Sequence, residues 1–317
     1  MKPERYMANI ASSSDALLPV RAGNIAQPVQ NSSENTPENC PEQAFTLTFW
    51  GVRGHIPAPG ADTVRYGGNT ACVEVHVGGQ RLIFDGGSGL RVLGCHLMQQ
   101  EQPVEAHLFF THTQWDRIQG FPFFAPAFVP ATQLNIYGAP ALNGASIKQR
   151  LTEQMLRPNF SKPLQTMAAT MTFHNIAAGD SISFGDVVVE TLSLNRHTSA
   201  LGYRVSWQDH VLVYATDTDP TKTSVDPNLL MLSSGADVLI LDGTYADAAY
   251  SDPKSGLAPW HLGIEVAQTS QVKHLVLFHH NPCHSDDYLD QLERQVQTSF
   301  APARLAREGM TLDLIKA

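Results

Sequence analysis

Four apolar runs in this sequence end in a histidine or an aspartate, and these side chains could bind a metal ion. His112 follows HLFFT, His197 follows DVVVETLSLNR, Asp217 follows VLVYAT, and His279 and His280 follow LVLF. Each of them alone is an ordinary polar residue at the end of a strand. Imidazole and carboxylate groups that converge from separate elements are, however, the ligands that zinc and similar divalent metals prefer. The four strand ends together therefore predict a metal site.

The rest of the sequence predicts the elements that must position these residues. Residues rich in β-branched and aromatic side chains alternate with turn residues from Phe45 to His280, which indicates a series of about a dozen strands. Three helices are predicted over Ser146–Leu156, Ile264–Gln271 and Asp286–Thr298, and Ser285 is the expected N-cap of the last one. This pattern predicts an α/β domain with stacked sheets and helices outside them.

The ends of the chain differ in character. Residues 1–43 are rich in Ser, Asn, Pro, Glu and Ala without a sustained period, and we expect them to form a flexible leader. Residues 44–317 are expected to form one domain. The segment Pro140–Met167 interrupts the strands with a basic helix, and such a charged face is most simply solvated.

Composition excludes several classes of function. The 317 residues include 21 Lys and Arg against 30 Asp and Glu, so the net charge is −9, and the pI is near 5.8. This balance disfavours binding to nucleic acid, and no apolar window is long enough to span a membrane. The four cysteines are far apart and form no C-x-x-C pair, which is typical of a reduced compartment. We therefore expect a cytoplasmic protein.

Eight segments carry a resemblance to a known family. They are GVRGHIPAPG from Gly51, RYGGNTACVEV from Arg65, FDGGSGLRVLG from Phe84, THTQWDRIQGFPFF from Thr111, LNRHTSALGYRV around His197, YATDTD around Asp217, LILDGTY from Leu239 and LFHHNPCHSDD from Leu277. In this order they resemble the phosphodiesterase-like hydrolases of the metallo-β-lactamase-fold superfamily. The resemblance implies a four-layer αβ/βα sandwich with its site at one sheet edge, where two metal ions, usually zinc, are held by loops.

The family's metal motif H-x-H-x-D-H falls on His112, Gln114, Asp116 and Arg117, and two of its four positions differ. The resemblance assigns the remaining ligands to His197, to Asp217 as the bridging carboxylate, and to His279, with His280 as the alternative. Gln114 offers only a neutral oxygen to zinc, and the Arg117 guanidinium cannot ligate a metal at all. The usual pair of metals is therefore not expected.

Three interpretations follow for this altered motif. In the first, one zinc, manganese or iron ion is held by His112, His197 and Asp217, or by Asp116, Asp217 and His279. Asp116 and Asp217 then serve catalysis, Asp116 by orienting an attacking hydroxide, and Arg117 pairs with the anionic group of a small phosphodiester or ester substrate.

In the second interpretation Arg117 replaces a metal and forms salt bridges to Asp116 and Asp217. The chain is then a pseudoenzyme that binds an anionic ligand or a protein and needs no metal. In the third, the site is vestigial and the fold serves assembly. These two interpretations together carry as much weight as the first, because clustered ionisable groups are only probabilistic evidence of catalysis.

Other residues are assigned supporting roles at the substrate or behind the ligands: Gln114, Asp85, Asn69 and His261. Asp85 either ties a loop beneath the site or caps a helix. The glycines of GGNT and FDGGSG are expected to be turn glycines with positive φ. Arg53 is a pocket candidate through the resemblance alone, and His55 has no assignment. The run FPFFAPAF from Phe121 is expected to be core, pocket wall or a homodimer surface.

Overall fold

The computed structural model describes residues 43–100, 103–195, 198–218, 225–243 and 260–316. In these ranges fourteen strands form two seven-stranded sheets. The first sheet has the order β14-β1-β2-β3-β4-β5-β6. Its strands are β1 (Phe45–Gly51), β2 (Cys72–Val77), β3 (Gln80–Phe84), β4 (Glu105–Phe110), β5 (Gln133–Gly138), β6 (Thr170–Asn175) and β14 (Thr311–Asp313).

The second sheet has the order β13-β12-β11-β10-β9-β8-β7. Its strands are β7 (Ser181–Phe184), β8 (Val187–Asn195), β9 (Ala200–Trp207), β10 (His210–Ala215), β11 (Val238–Asp242), β12 (His274–Phe278) and β13 (Ala303–Leu305). The described helices are α1 (Ser88–Leu97), α2 (Trp115–Ile118), α3 (Ile147–Gln154), α4 (Pro227–Ser233), α5 (Trp260–Thr269) and α6 (Asp286–Ser299).

Three separate groups of buried side chains define the layers. Aromatic residues fill the space between the sheets, where the ring of Phe84 lies 5.5 Å from that of Phe109 and 5.3 Å from that of Tyr214. A second group joins α1 and α3 to the outer face of the first sheet, and a third joins α5 and α6 to the second sheet. The order helix, sheet, sheet, helix confirms the predicted four-layer αβ/βα sandwich.

Strand direction explains why the predicted site residues lie at one edge. From β3 to β6 in the first sheet, and from β10 to β13 in the second, neighbouring strands are parallel. The carboxyl ends of parallel strands meet at the same edge of a sheet, which is where α/β folds place functional loops. The residues that follow β3, β4, β10 and β12 are therefore brought to the ends of their sheets.

Local signals in the sequence agree with the ends of the elements. The Ser285 side chain caps α6 by accepting the Tyr288 N–H at 3.3 Å, and two acidic residues occupy the first turn as predicted. Helix α5 begins at Trp260, four residues before the predicted start. The short strands β7, β13 and β14 were not predicted, because three or four residues carry too little pattern.

Two further predictions concern the regions outside the sheets. The predicted leader, residues 1–43, lies outside the described residues apart from its last residue. In the predicted basic insertion, α3 buries Ile147 and Leu151 and exposes Lys148, as expected for a solvated charged face. None of the helices in the described ranges combines the length and apolar character needed to cross a membrane.

Candidate functional site

Arg117 is the centre of a buried charge cluster at the shared edge of the sheets. Its guanidinium is fully buried and donates from Nη1 to Asp85 Oδ2 at 2.9 Å and to the Tyr214 hydroxyl at 3.3 Å. Its Nε lies 3.4 Å from Asp116 Oδ2, and its Nη2 lies 4.0 Å from Asp242 Oδ1. Burial opposes the charge, but these partners, Asp85 first, raise the pKa of Arg117 above its ordinary value.

One sequence prediction about the salt bridges of Arg117 is confirmed and one is wrong. Of the two salt bridges expected in the second interpretation, the guanidinium makes the one to Asp116 and not the one to Asp217; its other acidic partners among the described residues are Asp85 and Asp242. It was also expected to pair with an anionic substrate, but it has no exposed surface and faces carboxylates. The reason is that α2 directs this side chain inward, between the sheets, where the carboxylates of Asp85 and Asp116 already compensate its charge.

Asp85 ties the loop after β4 to the loop after β3. Its Oδ1 accepts the backbone N–H and the hydroxyl of Thr111, both at 2.9 Å, and its Oδ2 accepts the Tyr214 hydroxyl at 2.8 Å. Asp85 itself adopts φ of 60°, and the N-cap of α1 is Gly87 without a side-chain bond. Of the two roles considered for Asp85, loop tying is therefore the one that the geometry shows.

The hydrogen bonds of Thr111 fix the tautomer of His112. The Thr111 hydroxyl has a single proton, which it donates to Asp85, so it accepts from His112 Nδ1 at 3.0 Å. In the neutral ring, the Nε2 atom of His112 then carries a lone pair. This Nε2 is buried without a hydrogen-bond partner in the part of the chain that the structure describes, and it lies 3.8 Å from Asp217 Oδ2. Two acceptor atoms thus face each other across a gap that suits a cation.

Asp217 and Asp242 form the part of the site that follows β10 and β11. Asp217 has φ of 62°, and its backbone N–H donates to Asp242 Oδ2, while Thr198 Oγ1 donates to Asp217 Oδ2 at 2.7 Å. Asp242 is buried, and this burial together with the nearby Asp217 charge raises its pKa to about 8 despite the opposing charge of Arg117. Asp242 therefore keeps its proton at neutral pH.

His279 bridges the two sheets by its contact with Asp116. Its Nε2 lies 2.9 Å from Asp116 Oδ2, and its Nδ1 lies 3.6 Å from Asp242 Oδ1. Burial and the Arg117 charge lower the pKa of His279 to about 4, so the ring is neutral at pH 7. Burial alone would raise the pKa of Asp116, but the His279 hydrogen bond and the Arg117 charge outweigh it and hold that pKa well below its usual range. Nε2 is therefore the donor in this bond.

The fit to a metal differs between the family's two positions. No group of three or more His, Cys, Asp or Glu side chains that could hold a metal occurs among the described residues. His197, the third expected ligand beside His112 and Asp217, lies outside those residues. At the first position, His112 Nε2 and Asp217 Oδ2 lie close enough for one cation to bind to both. The second position does not fit, since Arg117 is there and Asp116 is already bound to His279.

Gln114 is the N-cap residue of α2, and His261 lies in α5. Gln114 is exposed at the N-terminus of α2, where its backbone carbonyl accepts the Arg117 N–H at 3.0 Å. The ring of His261 stacks on that of Trp260 at 3.7 Å in the first turn of α5. His280 points away from His279 and bonds the Ala306 carbonyl at 2.8 Å. The structure thus brings together His112, Asp116, Asp217, His279 and Asp85, and it leaves Gln114 at the rim.

Asn69 supports the turn beneath the site. Its Nδ2 donates to Glu308 at 3.0 Å, and its Oδ1 accepts the Ser88 hydroxyl at 3.0 Å. The expectation of positive φ at the neighbouring glycines holds for Gly67, with φ of 102°, and is wrong for Gly68, Gly86 and Gly87. Those three are needed for close approach: a Cβ on Gly87, for example, would lie 2.5 Å from the Asp116 carbonyl oxygen.

The aromatic run after α2 is core. Phe121 and Phe124 are fully buried in the group that joins α1 to the first sheet, and Phe123 is the large exposed residue of the run. Sequence reasoning missed Asp242 and Tyr214 as members of the cluster. The signal for Asp242 was its place directly after VLIL at the end of a buried strand, whereas nothing marked Tyr214.

Comparisons with known proteins were made for the whole chain. A family model described as a beta-lactamase superfamily domain matches residues 80–280, which is more than half of the chain. The search of the curated proteins gave no match. Similar solved structures include the metallo-beta-lactamase fold protein YhfI from Bacillus subtilis, with 18% identity over 85% of this chain and 98% of that one, at a TM-score of 0.61.

Two further similar structures carry functional names. One is a diphosphatase of the PhnP family, with 15% identity over 84% of this chain and 97% of that one, at a TM-score of 0.62. The other is the short form of human tRNase Z, with 18% identity over 85% of this chain and 99% of that one, at a TM-score of 0.58. At such identities the similarity establishes the fold.

Proposed function

This chain belongs to the metallo-β-lactamase-fold superfamily, and on that premise we propose that it is a hydrolase that uses a single divalent metal ion. The ion is zinc, with manganese and iron as alternatives, and the substrate is a small anionic phosphodiester or ester. The similar structures named as a diphosphatase and a tRNase support this choice of substrate class. The fold alone does not define an activity, which depends on the residues of the site.

The observation that carries the proposal is the orphaned Nε2 atom of His112. It is buried, its lone pair is directed by the Thr111 hydrogen bond on the other ring nitrogen, and Asp217 Oδ2 lies 3.8 Å away. An unpaired buried acceptor is costly, and a second bond that fixes the ring is typical of metal-binding histidines. His112 and Asp217 would hold the ion, and His197 is proposed as the third ligand.

Arg117 takes the place of a second metal ion in this proposal. A fixed positive charge beside Asp85 and Asp116 compensates carboxylates that a second dication would otherwise neutralise, and Asp242, which keeps its proton, adds no negative charge. Because a guanidinium is always charged and presents donors in a rigid fork, it can hold several carboxylates in one geometry. The carboxylate framework of the site thus stays assembled with one metal fewer.

The residues of this chain divide the chemistry as follows. When bound, the metal ion supplies a Lewis acid that polarises the substrate. Asp116 has a pKa far below neutral, so it orients a water molecule by accepting a hydrogen bond and does not remove its proton. His279 holds Asp116 in place by donating a hydrogen bond from Nε2. Asp217 would supply the carboxylate ligand of the metal ion beside His112.

Metal content and hydrolysis test the proposal together. We expect purified wild-type protein to hold one metal ion per chain and to hydrolyse members of a phosphodiester and ester panel, and chelation should remove both properties. His112→Ala should lose the metal and the activity, whereas His96→Ala, which changes an exposed histidine on α1, should keep them. Full metal content and activity in His112→Ala would contradict the proposal.

The second candidate function is an inactive relative that binds an anionic ligand or a partner protein. The observation in its favour is the closed second position, where Asp116 and Arg117 already satisfy each other's charge. The variant Gln114→His with Arg117→His distinguishes the two. If that variant gains a second metal and higher phosphodiesterase activity, the pocket is built for hydrolysis. If it binds two metals and hydrolyses nothing, the inactive relative is the better description.

A further inference from the structure

Arg53 is a charged side chain without exposed surface that lies beside the site and takes no part in the charge cluster. Its Nε donates to the Gly67 carbonyl at 2.8 Å, and its Nη1 donates to the carbonyls of Asn281 at 3.1 Å and His284 at 2.8 Å. Its Nη2 lies 3.8 Å from Asp286 Oδ1. One guanidinium therefore joins the turn before β2 to the segment between β12 and α6.

The backbone around Arg53 makes the same connection between the two sheets. The N–H groups of Val52 and Arg53 donate to the Asn69 carbonyl at 2.9 and 2.8 Å, on the side of the first sheet. On the side of the second sheet, the His280 N–H donates to the Val52 carbonyl at 2.9 Å, and the Gly54 N–H donates to the His280 carbonyl at 2.8 Å. Residues 52–54 thus lie between the ends of both sheets.

His279 depends on this connection for its position. It has φ of 60°, a left-handed conformation that costs a non-glycine residue free energy and persists only where its surroundings impose it. Its ring packs directly on Gly54, where a Cβ would lie 2.8 Å from Cε1. From this position the ring reaches Asp116, which belongs to the other sheet's half of the site.

An arginine suits this role better than any other residue. The carbonyl acceptors contact two different nitrogens of the guanidinium, Nε and Nη1, while Nη2 faces Asp286. A lysine would keep the charge opposite Asp286, but its three donors are on one nitrogen atom, which cannot occupy the positions of both Nε and Nη1. The charge alone is therefore not the property on which the position of His279 depends.

We propose that Arg53 is a positioning residue that fixes the segment after β12 against the first sheet, and so holds His279 in contact with Asp116. The two halves of the site come from different sheets, and Arg53 sets their relative position. The effect on catalysis rests on the proposed hydrolase function. The effect on His279 does not, and can be measured without any substrate.

The experiment compares Arg53→Lys and Arg53→Ala with the control Arg65→Lys. Arg65 also pairs with Asp286 and with Asp287, but from a half-exposed position at the surface. The protein is labelled with ¹⁵N-histidine and treated with a chelator, and the NMR signals of the His279 ring are identified as those missing from the spectrum of His279→Gln. Both Arg53 variants should shift these signals. Arg65→Lys should leave them unchanged. Circular dichroism establishes whether each variant is folded. If Arg53→Ala does not fold, Arg53→Lys alone provides the test.

Kinetics provide the second measurement. The Arg53 variants should lose roughly tenfold to a hundredfold in kcat with little change in KM, because displaced catalytic groups cost rate more than binding. Methylguanidinium, but not methylammonium, should restore part of the kcat of Arg53→Ala by filling the vacated site. If the wild type is inactive, the proposed hydrolase function is wrong. The His279 signals still test the role of Arg53 in that case, because they need no substrate. Unchanged His279 signals in both Arg53 variants overturn the inference.

Discussion

The buried Asp242 carboxyl has its pKa raised to about 8, so its proton affects how this site responds to pH near neutrality. Its pKa is raised to about 8 by burial and by Asp217, whereas that of His279 is lowered to about 4 by burial and by Arg117. At pH 7 the Asp242 and His279 side chains are therefore uncharged. The ion pair between the sheets is formed by Asp116 and Arg117. The site avoids an excess of buried negative charge by leaving one carboxyl protonated.

The Asp242 pKa predicts how stability depends on pH. A carboxyl with a raised pKa binds a proton in the folded chain that the unfolded chain has lost, so stability falls as pH rises towards about 8. His279 has the opposite effect, but only between about pH 4 and its ordinary value of 6.5. From pH 6.5 to 8, we expect the wild type to lose about 2 kcal/mol relative to Asp242→Asn, which mimics the protonated carboxyl.

Urea unfolding of chelated wild type and Asp242→Asn at several pH values measures this difference. The comparison cancels the contributions of other groups, because the two proteins share them. Equal slopes of stability against pH in the two proteins would show that Asp242 does not keep a proton in the folded state.

At the scale of the elements, close packing between loops is what brings the two sheets' residues within reach. The loop before β2, the loop before α1 and helix α2 pack backbone against backbone, so that a Cβ on Gly120 would lie 1.9 Å from the Gly87 carbonyl oxygen. The segment after β1 packs its backbone at Gly54 against the side-chain ring of His279. Glycine is required at these positions for space, and only Gly67 among the motif glycines discussed is also required for its φ.

Gly54→Ala tests this account at one element. The added methyl group would lie 2.8 to 3.0 Å from three atoms of the His279 ring, so the ring must shift, and its contact with Asp116 changes with it. We expect a destabilisation of about 1–3 kcal/mol, typical of an overpacked core, and a loss of kcat of at least about tenfold. Thermal unfolding and steady-state kinetics measure the two effects.

Gly60→Ala is the matched control for this substitution. Gly60 lies six residues after Gly54 in the same loop and has an extended φ of 168°. The nearest atom to a Cβ added at Gly60 is 3.9 Å away. Its stability should stay within about 0.5 kcal/mol of the wild type. If Gly54→Ala behaved like Gly60→Ala, the ring of His279 would not be held by contact with residue 54.

At the scale of the whole molecule, a metal held between the two sheets should stabilise the entire sandwich. His112 follows β4 of the first sheet and Asp217 follows β10 of the second, so an ion bound by both links the sheets. A ligand that binds only the folded state at a hundred times its Kd contributes about 2.7 kcal/mol.

We therefore expect the melting temperature of chelated wild-type protein to rise when zinc is added. His112→Ala should lose this rise, and His96→Ala should keep it. Differential scanning calorimetry with and without zinc measures the effect. A rise of the same size in His112→Ala would place the metal elsewhere in the molecule.

The sequence by itself determined the sandwich and the strand ends that carry chemistry. Alternating apolar residues, the turn residues between them and the positions of His112, Asp217 and His279 after strands are local patterns that can be seen within ten residues. The order of the motifs then indicated the fold. The changes to Gln114 and Arg117 were also visible in the sequence, and the prediction of an altered metal site rests on them.

Only the tertiary structure decided which partners these residues take. Arg117 was expected to pair either with a substrate or with Asp116 and Asp217, but it is buried against Asp85, Tyr214 and Asp242 as well as Asp116, up to 125 positions away in the chain. The tautomer of His112 likewise follows from the Thr111 contact with Asp85. Such contacts depend on how the two sheets stack and how far each loop extends, and no local pattern contains that information.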